Sequence, residues 1–223
     1  MKRHGFPLRW QTPSIPDAQS LFDHTEREVE SLLTSHVAKR LMGEAVPRAA
    51  LAQMFANVAF QSFHGPVTFA LAGSHLATTH PAISDYLIAH AGEEIRHWQW
   101  AMEDLASVAD ARHTHTHTVP SAAALQYAGF YYFCAHSIPL ARLGSALFLE
   151  QMGPQSQKVI GAIGKQHPQV PFRFFRSHAV TDAQHSQEIA DIIASADLAP
   201  DELGLLAWAA TTARPLYQAL YDV

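Results

Sequence analysis

Two stretches of this chain place histidines and carboxylates at helical intervals: His90-Ala-Gly-Glu-Glu-Ile-Arg-His97 and His178-Ala-Val-Thr-Asp182-Ala-Gln-His185. In an α-helix seven residues fall about 20° short of two full turns, so His90 and His97 would share one face, roughly 10.5 Å apart along the axis. Glu94 lies between them, four residues after His90 and three before His97, which makes a Glu-x-x-His pattern of the kind that helical bundles use to bind pairs of metal ions. His178, Asp182 and His185 repeat the arithmetic at i, i+4 and i+7 and end in Asp-x-x-His. A further carboxylate, Glu150, stands among Leu147, Phe148, Leu149 and Met152. Burying it there is costly unless a cation or a hydrogen-bond partner meets it.

Imidazoles mixed with carboxylates suit Fe, Mn or Zn, whereas an all-oxygen set would suit Mg or Ca and thiolates would suit structural Zn. His90, His97, Glu150, His178, Asp182 and His185 are too many ligands for one tetrahedral ion, so the set predicts two first-row metals. Glu94 and Glu150 are the candidate catalytic carboxylates, Glu94 either as a mobile ligand or as an acceptor that orients an imidazole. Taken singly, a helical His-x6-His or Glu-x-x-His is as readily surface or core polarity, and the inference rests on their conjunction. The His113 to His117 alternation with Thr reads as a solvated connector and is left out of the set. Cys134, the sole cysteine, lies in an apolar run and reads as a buried thiol without reactivity. Arg142 and Arg176 read either as carboxylate anchors or as solvated helix residues, and Tyr127, Phe130, Tyr131, Phe133 and Trp98 either line a pocket beside the metals or, for most of them, fill the core.

The elements that must carry these residues read as helices. After a Pro-rich leader (1–16), residues 17–223 are expected to form one domain. A first helix would run from Asp17 to Leu41, and a second from Pro47 to Leu76 with a break near Gly65-Pro66. One uninterrupted helix is expected over 82–108, and another from Ser121 to Met152, kinked at Pro139 and ended by Gly153-Pro154. Three more follow, over 155–165, 171–196 and 200–221. No strand pattern or fixed-period repeat is evident.

With 223 residues, 48% hydrophobic and 16% charged, the chain can fill one sizeable core. A net charge of -5 without a Lys/Arg block argues against a nucleic-acid or anionic-membrane partner. No apolar run reaches the roughly eighteen residues of a membrane span, and Pro7, Pro13 and Pro16 interrupt any secretory leader. A cytoplasmic location is therefore expected. Histidine is abundant, fifteen residues against fifteen Lys and Arg combined.

At these residues, over about 81–196, the sequence resembles the heme-oxygenase-like di-iron oxidases and oxygenases, a fold that also includes heme oxygenase, thiaminase-like proteins and pyrroloquinoline-quinone synthases. The phrase Glu-Glu-Ile-Arg-His-Trp followed by Glu103-Asp104-Leu105 is also similar to the iron-containing redox enzymes. The resemblance implies an all-α, heme-oxygenase-like bundle of about seven helices, two Fe(II) ions with O2 as co-substrate, and a small amine or amino-acid-derived substrate in a biosynthetic pathway, with a homodimer as the candidate assembly. It implies the ligands His90, His97, Glu150, His178, Asp182 and His185. Many members have Glu where His90 stands, so this chain is similar to the branch with His there, which includes nitrile-forming enzymes acting on amino acids. The alternatives are a non-redox thiaminase-like member, which would need a Cys nucleophile in a context that Cys134 lacks, and a ferritin-like storage protein, which would need a Glu on a helix where 46–80 has no acidic residue.

Overall fold

The computed structural model describes residues 11–108 and 120–223, and among these the regular structure is helical throughout. The His113 to His117 alternation and most of the Pro-rich leader lie outside the described residues. Ten helices follow in order: α1 (Ala18–Leu33), α2 (His36–Gly43), α3 (Arg48–Leu76), α4 (Pro81–Glu94), α5 (Trp98–Val108), α6 (Ala122–Ser137), α7 (Ala141–Gln155), α8 (Gln157–Gln166), α9 (Arg173–Ser195) and α10 (Pro200–Ala219). The count exceeds the expected seven because three of the long helices read from sequence are each divided. Residues 17–41 split at Thr34-Ser35, where the Ser35 hydroxyl accepts the Ala38 N–H and starts α2. The segment from Ser121 splits at Pro139, and 82–108 splits at Ile95 to His97. Conversely, α3 runs unbroken through Gly65-Pro66, both buried, so packing overrides the local stop signal, and α7 continues through Gly153-Pro154 to Gln155.

The helices form two groups. The long α3 packs on α4, α5 and α6, while α7 packs on α9, α10 and α1, and α9 also touches α4 and α5. α7 is buried on nearly every side, which is the pattern of a helix enclosed by others rather than laid on a surface. One apolar cluster gathers Phe55, Tyr127, Phe148, Met152 and Phe172, a second gathers Phe69, Leu87, Leu143, Leu147 and Ile189, and the polar positions of α4, α7 and α9 fall where the two meet.

Two contacts fix the register of these helices. Asp104 on α5, fully buried, accepts the N–H groups of Arg173 (2.8 Å) and Phe174 (2.9 Å), so one carboxylate caps the start of α9 from another helix. The preceding Phe172 adopts a left-handed backbone (φ 50°), held there by its ring, which packs 5.7 Å from Phe55. Gly144 on α7 lies against the backbone of Leu206 on α10, and a Cβ at this position would overlap the Leu206 carbonyl and Cα. Because neither backbone can yield cheaply, Gly144→Ala is expected to destabilise the fold by about 1–3 kcal/mol, seen as a lower midpoint in urea unfolding, while the control Gly161→Ala, in α8 with open space for the Cβ, should hold or slightly raise it.

Candidate metal centre

The turn at Ile95 to His97 decides how the ligands group. The His97 N–H donates to the Glu94 carbonyl (3.1 Å) and the Trp100 N–H to the His97 carbonyl (3.0 Å), a tighter pitch than α-helix. The seven-residue relation between His90 and His97 is thereby lost. His90 from α4, Glu150 from α7 and His185 from α9 form one three-residue group, and Glu94, His97 and His178 form another, with the donor atoms of each group lying within 4.8 Å of one another.

In the first group all three residues are buried, His90 to 1% exposure. His90 Nε2 lies 3.3 Å from Glu150 Oε1, and His185 Nδ1 lies 3.3 Å from Glu150 Oε2. The two imidazoles stand perpendicular, 4.7 Å apart. Phe69 meets the His90 ring edge-on at 4.7 Å and Tyr86 stacks on it at 5.5 Å. In the second group His97 Nδ1 donates to Glu94 Oε2 at 2.7 Å, and His178 Nε2 lies 3.5 Å from the same oxygen. Trp100 stacks on His97 at 4.1 Å and Phe174 covers His178 at 4.0 Å. His178 Nδ1 donates to the Phe174 carbonyl (2.8 Å), which leaves Nε2 as the nitrogen that could meet a metal. The two groups touch through Glu94 and His185, whose Oε1 and Nδ1 are 4.0 Å apart.

Five buried atoms of this cluster have no hydrogen-bond partner: both ring nitrogens of His90, Nδ1 of His185, Oε1 of Glu94 and Oε2 of Glu150. Several lie at 3.3 Å from an opposite group, close enough for charge attraction but without the alignment of a hydrogen bond. Buried polar atoms are almost always satisfied, so a cluster of orphans with converging lone pairs is what a cation would complete. The residues present therefore fit a pair of metal ions.

Asp182, also buried, lies beside Glu150. Burial, followed by the charges of Glu150 and Glu94, pushes its carboxyl up to about 10. His185 is raised to about 9, chiefly by its contact with Glu150. For Glu94 burial acts upward, but the His178 and His97 contacts outweigh it and hold the carboxyl below its usual range. The same contacts raise His178 against its own burial. Gly153 on α7 is as close to Asp182 as a residue can be, since a Cβ there would run into the carboxylate.

A family model described as iron-containing redox enzyme matches residues 53–217, which span every residue of both groups. The chain belongs to this family. No curated protein matches it. Among solved structures, a domain of unknown function with a heme oxygenase-like fold from Shewanella denitrificans aligns with TM-score 0.83 and 21% identity over 94% of this chain and 92% of that one. A TenA family transcription regulator from a Silicibacter species aligns with TM-score 0.67, 13% identity and coverage of 94% and 96%. A TenA homologue from Pseudomonas syringae aligns with TM-score 0.69, 11% identity and coverage of 96% and 97%. At these identities the structures establish the fold, a heme-oxygenase-like bundle.

The structure thus gathers His90, His97, Glu150, His178, Asp182 and His185 in one region and places Glu94 among them as an equal. Of the two readings of Tyr127 and Tyr131, the core one holds. The cavity beside the cluster is lined by Gln61, Phe69, Arg142, Phe174, Phe175 and Tyr217, not by the 127–133 aromatics. Tyr127 and Tyr131 are core residues and Phe133 is partly exposed, because α6 packs against α3 and α10 and not against the cluster. Trp98 faces a separate cavity with Phe60 and Phe63. Arg176 is exposed. Sequence reasoning missed Trp100 and Phe174, although each lies one helical turn from a ligand His, a spacing that could have marked them. Tyr86, four residues before His90, carried the same signal, and Phe69, on another helix, carried none.

Asp182 and His185 make the metal-free fold sensitive to pH. A carboxyl raised from 3.8 to about 10 stabilises the metal-free fold only at low pH, and that contribution is lost as pH rises between those values, with His185 adding a loss from 6.5 to about 9. Asp182→Asn removes the first term. It is expected to raise the Tm of the metal-free protein at pH 8 by at least about 2–4 °C, the shift for about 1 kcal/mol in a chain of this size, to leave Tm near pH 4 unchanged, and to weaken metal uptake. Paired thermal melts at the two pH values provide the check.

Proposed function

We propose that this chain is an O2-dependent non-heme di-iron oxidase or oxygenase acting on a small amine or amino-acid-derived substrate, in N-oxygenation, C–C cleavage or nitrile formation. The observation that carries the reading is the pair of three-residue groups, each holding one carboxylate and two imidazoles, joined through Glu94 and His185 in a member of an iron-containing redox family. His90, Glu150 and His185 would hold one ion and Glu94, His97 and His178 the other, with Asp182 completing the first beside Glu150. Bound iron with O2 would supply the oxidising equivalents.

The residues' own contributions follow from their surroundings. The His178 Nδ1–H bond to the Phe174 carbonyl holds the ring in one orientation, and the Trp100 and Phe174 rings keep water from the imidazoles of the second group. Both imidazoles that meet Glu94 in the metal-free protein do so at Oε2, so Oε1, which has no partner, is the oxygen open to a metal. Asp182, protonated near neutrality, would give up its proton as it binds. With Glu94, Glu150 and Asp182 all ionised, three negative charges would face two dications, and Glu93, whose Oε2 lies 3.3 Å from His185 Nε2, adds a fourth at the exposed side, so His90 in place of a further carboxylate keeps the centre from becoming anionic. A thiaminase-like reading finds no support at the thiol: Cys134 is fully buried, raised to about 12 by burial, and lies outside the cavity.

Anaerobic titration with Fe(II) tests the proposal. About two Fe per chain are expected, falling to about one in His90→Ala and in Glu150→Ala, with O2 consumption on mixing. Less than one tightly held iron, insensitive to Glu150→Ala and His178→Ala, would refute it.

A further inference from the structure

Arg142 is the largest side chain with no exposure among the described residues, and no carboxylate lies within ion-pair distance of it. Its Nε donates to Thr68 Oγ1 (3.1 Å) and its Nη1 to Ser145 Oγ (2.9 Å), while Nη2 has no partner. The guanidinium is clamped between the rings of Phe69 (3.6 Å) and Tyr131 (3.9 Å), an arrangement that holds the plane still but neutralises nothing. A buried cation left with neutral partners is expensive. The same residue lines the cavity whose wall includes Glu94, Glu150, His178 and Asp182. Phe69 touches both Arg142 and His90, so one ring separates the guanidinium from a ligand of the metal cluster.

We propose that Arg142 receives the carboxylate of a short organic acid and so presents that acid's remaining atoms to the metal cluster. This assignment names the substrate class of the site described above and rests on that reading for its catalytic meaning. The guanidinium fork matches a carboxylate in plane and in hydrogen-bond spacing, and Nη2 supplies the unused donors. The cavity holds about 60 Å³, which at about 10–15 Å³ per water-sized group admits roughly four to six such groups. That suits a short acid and not a long acyl chain. Arg142 precedes Glu150 by two turns of α7, about 12 Å along the axis, a gap that an arginine side chain and a molecule of this size together span. A dianion such as phosphate fits less well, because Glu94 and Glu150 face the same space and repel a second negative charge.

The test is calorimetric titration of the full chain, metal-free and at constant ionic strength, with propionate, with its neutral isostere propionamide, and with inorganic phosphate. Propionate is expected to bind and propionamide and phosphate to fail. Arg142→Lys should weaken propionate by about tenfold or more while leaving anaerobic iron stoichiometry unchanged, and Arg142→Met should abolish binding, its fold checked by circular dichroism. If Arg142→Met does not fold, the contrast between propionate and propionamide on the natural chain, with Arg142→Lys, still decides. Equal binding of propionate and propionamide, preference for phosphate, or affinity unchanged by Arg142→Lys would each overturn the assignment. Propionate binding lost in Arg142→Lys, in a protein that nevertheless takes up less than one iron, would uphold the carboxylate subsite and fail the di-iron reading instead.

Discussion

Seven ionisable side chains, four of them imidazoles and three carboxylates, are enclosed at the seam between two groups of helices, and most of the surrounding architecture follows from the cost of putting them there. In an apolar interior each unpaired charge or orphaned lone pair costs free energy, and here the groups only partly satisfy one another: Glu94 gathers two histidines, Glu150 is flanked by two more, and Asp182 escapes by staying protonated. The five unpartnered buried atoms measure what is still missing. A cation at each group would meet most of these atoms, one ring nitrogen of His90 apart, since an imidazole presents only one nitrogen to a given ion.

Holding such a cluster requires helices that cannot relax around it. α7 serves as the central strut, enclosed on almost all sides and brought against α10 at Gly144 and against α9 at Gly153, the two positions where only the absence of a side chain permits the approach. α9 is anchored at its start by the Asp104 carboxylate and by the left-handed Phe172. These constraints act one or two turns from the ligands and so set where Glu150, His178 and Asp182 come to lie. Arg142 and Glu150, opposite in charge and two turns apart on the same helix, then face one cavity between a guanidinium and the candidate ligands.

The short turn at 95–97 has the largest consequence for chemistry. A continuous helix would have delivered His90 and His97 as a pair from one face. The tight turn instead assigns His97 to Glu94 and His178, and leaves His90 to Glu150 and His185. Each group then draws on more than one helix, so occupation of either site ties α9 to α4, and occupation of the first also ties in α7.

Much of this was legible in the chain itself. Helical spacing of His and carboxylates is a local property, as are the caps at Asp17 and Ser121 and the apolar setting of Glu150, so the all-helical class, the donor chemistry and six ligand candidates could be read directly from residue order. Which donors share an ion could not, because that depends on how α4, α7 and α9 cross and on a three-residue turn whose energy is decided by packing on α3 and α9. The same limit explains why both readings of the aromatics stood open: 127–133 has the composition of a pocket wall, but α6 turns that face to α3 and α10. It explains Arg142 as well, a residue whose type suggested an anchor without saying whether it met water or the interior. Sequence determined what each helix carries on its face; only the tertiary structure decided which faces meet, since burial and the pairing of buried charge are properties of several helices together.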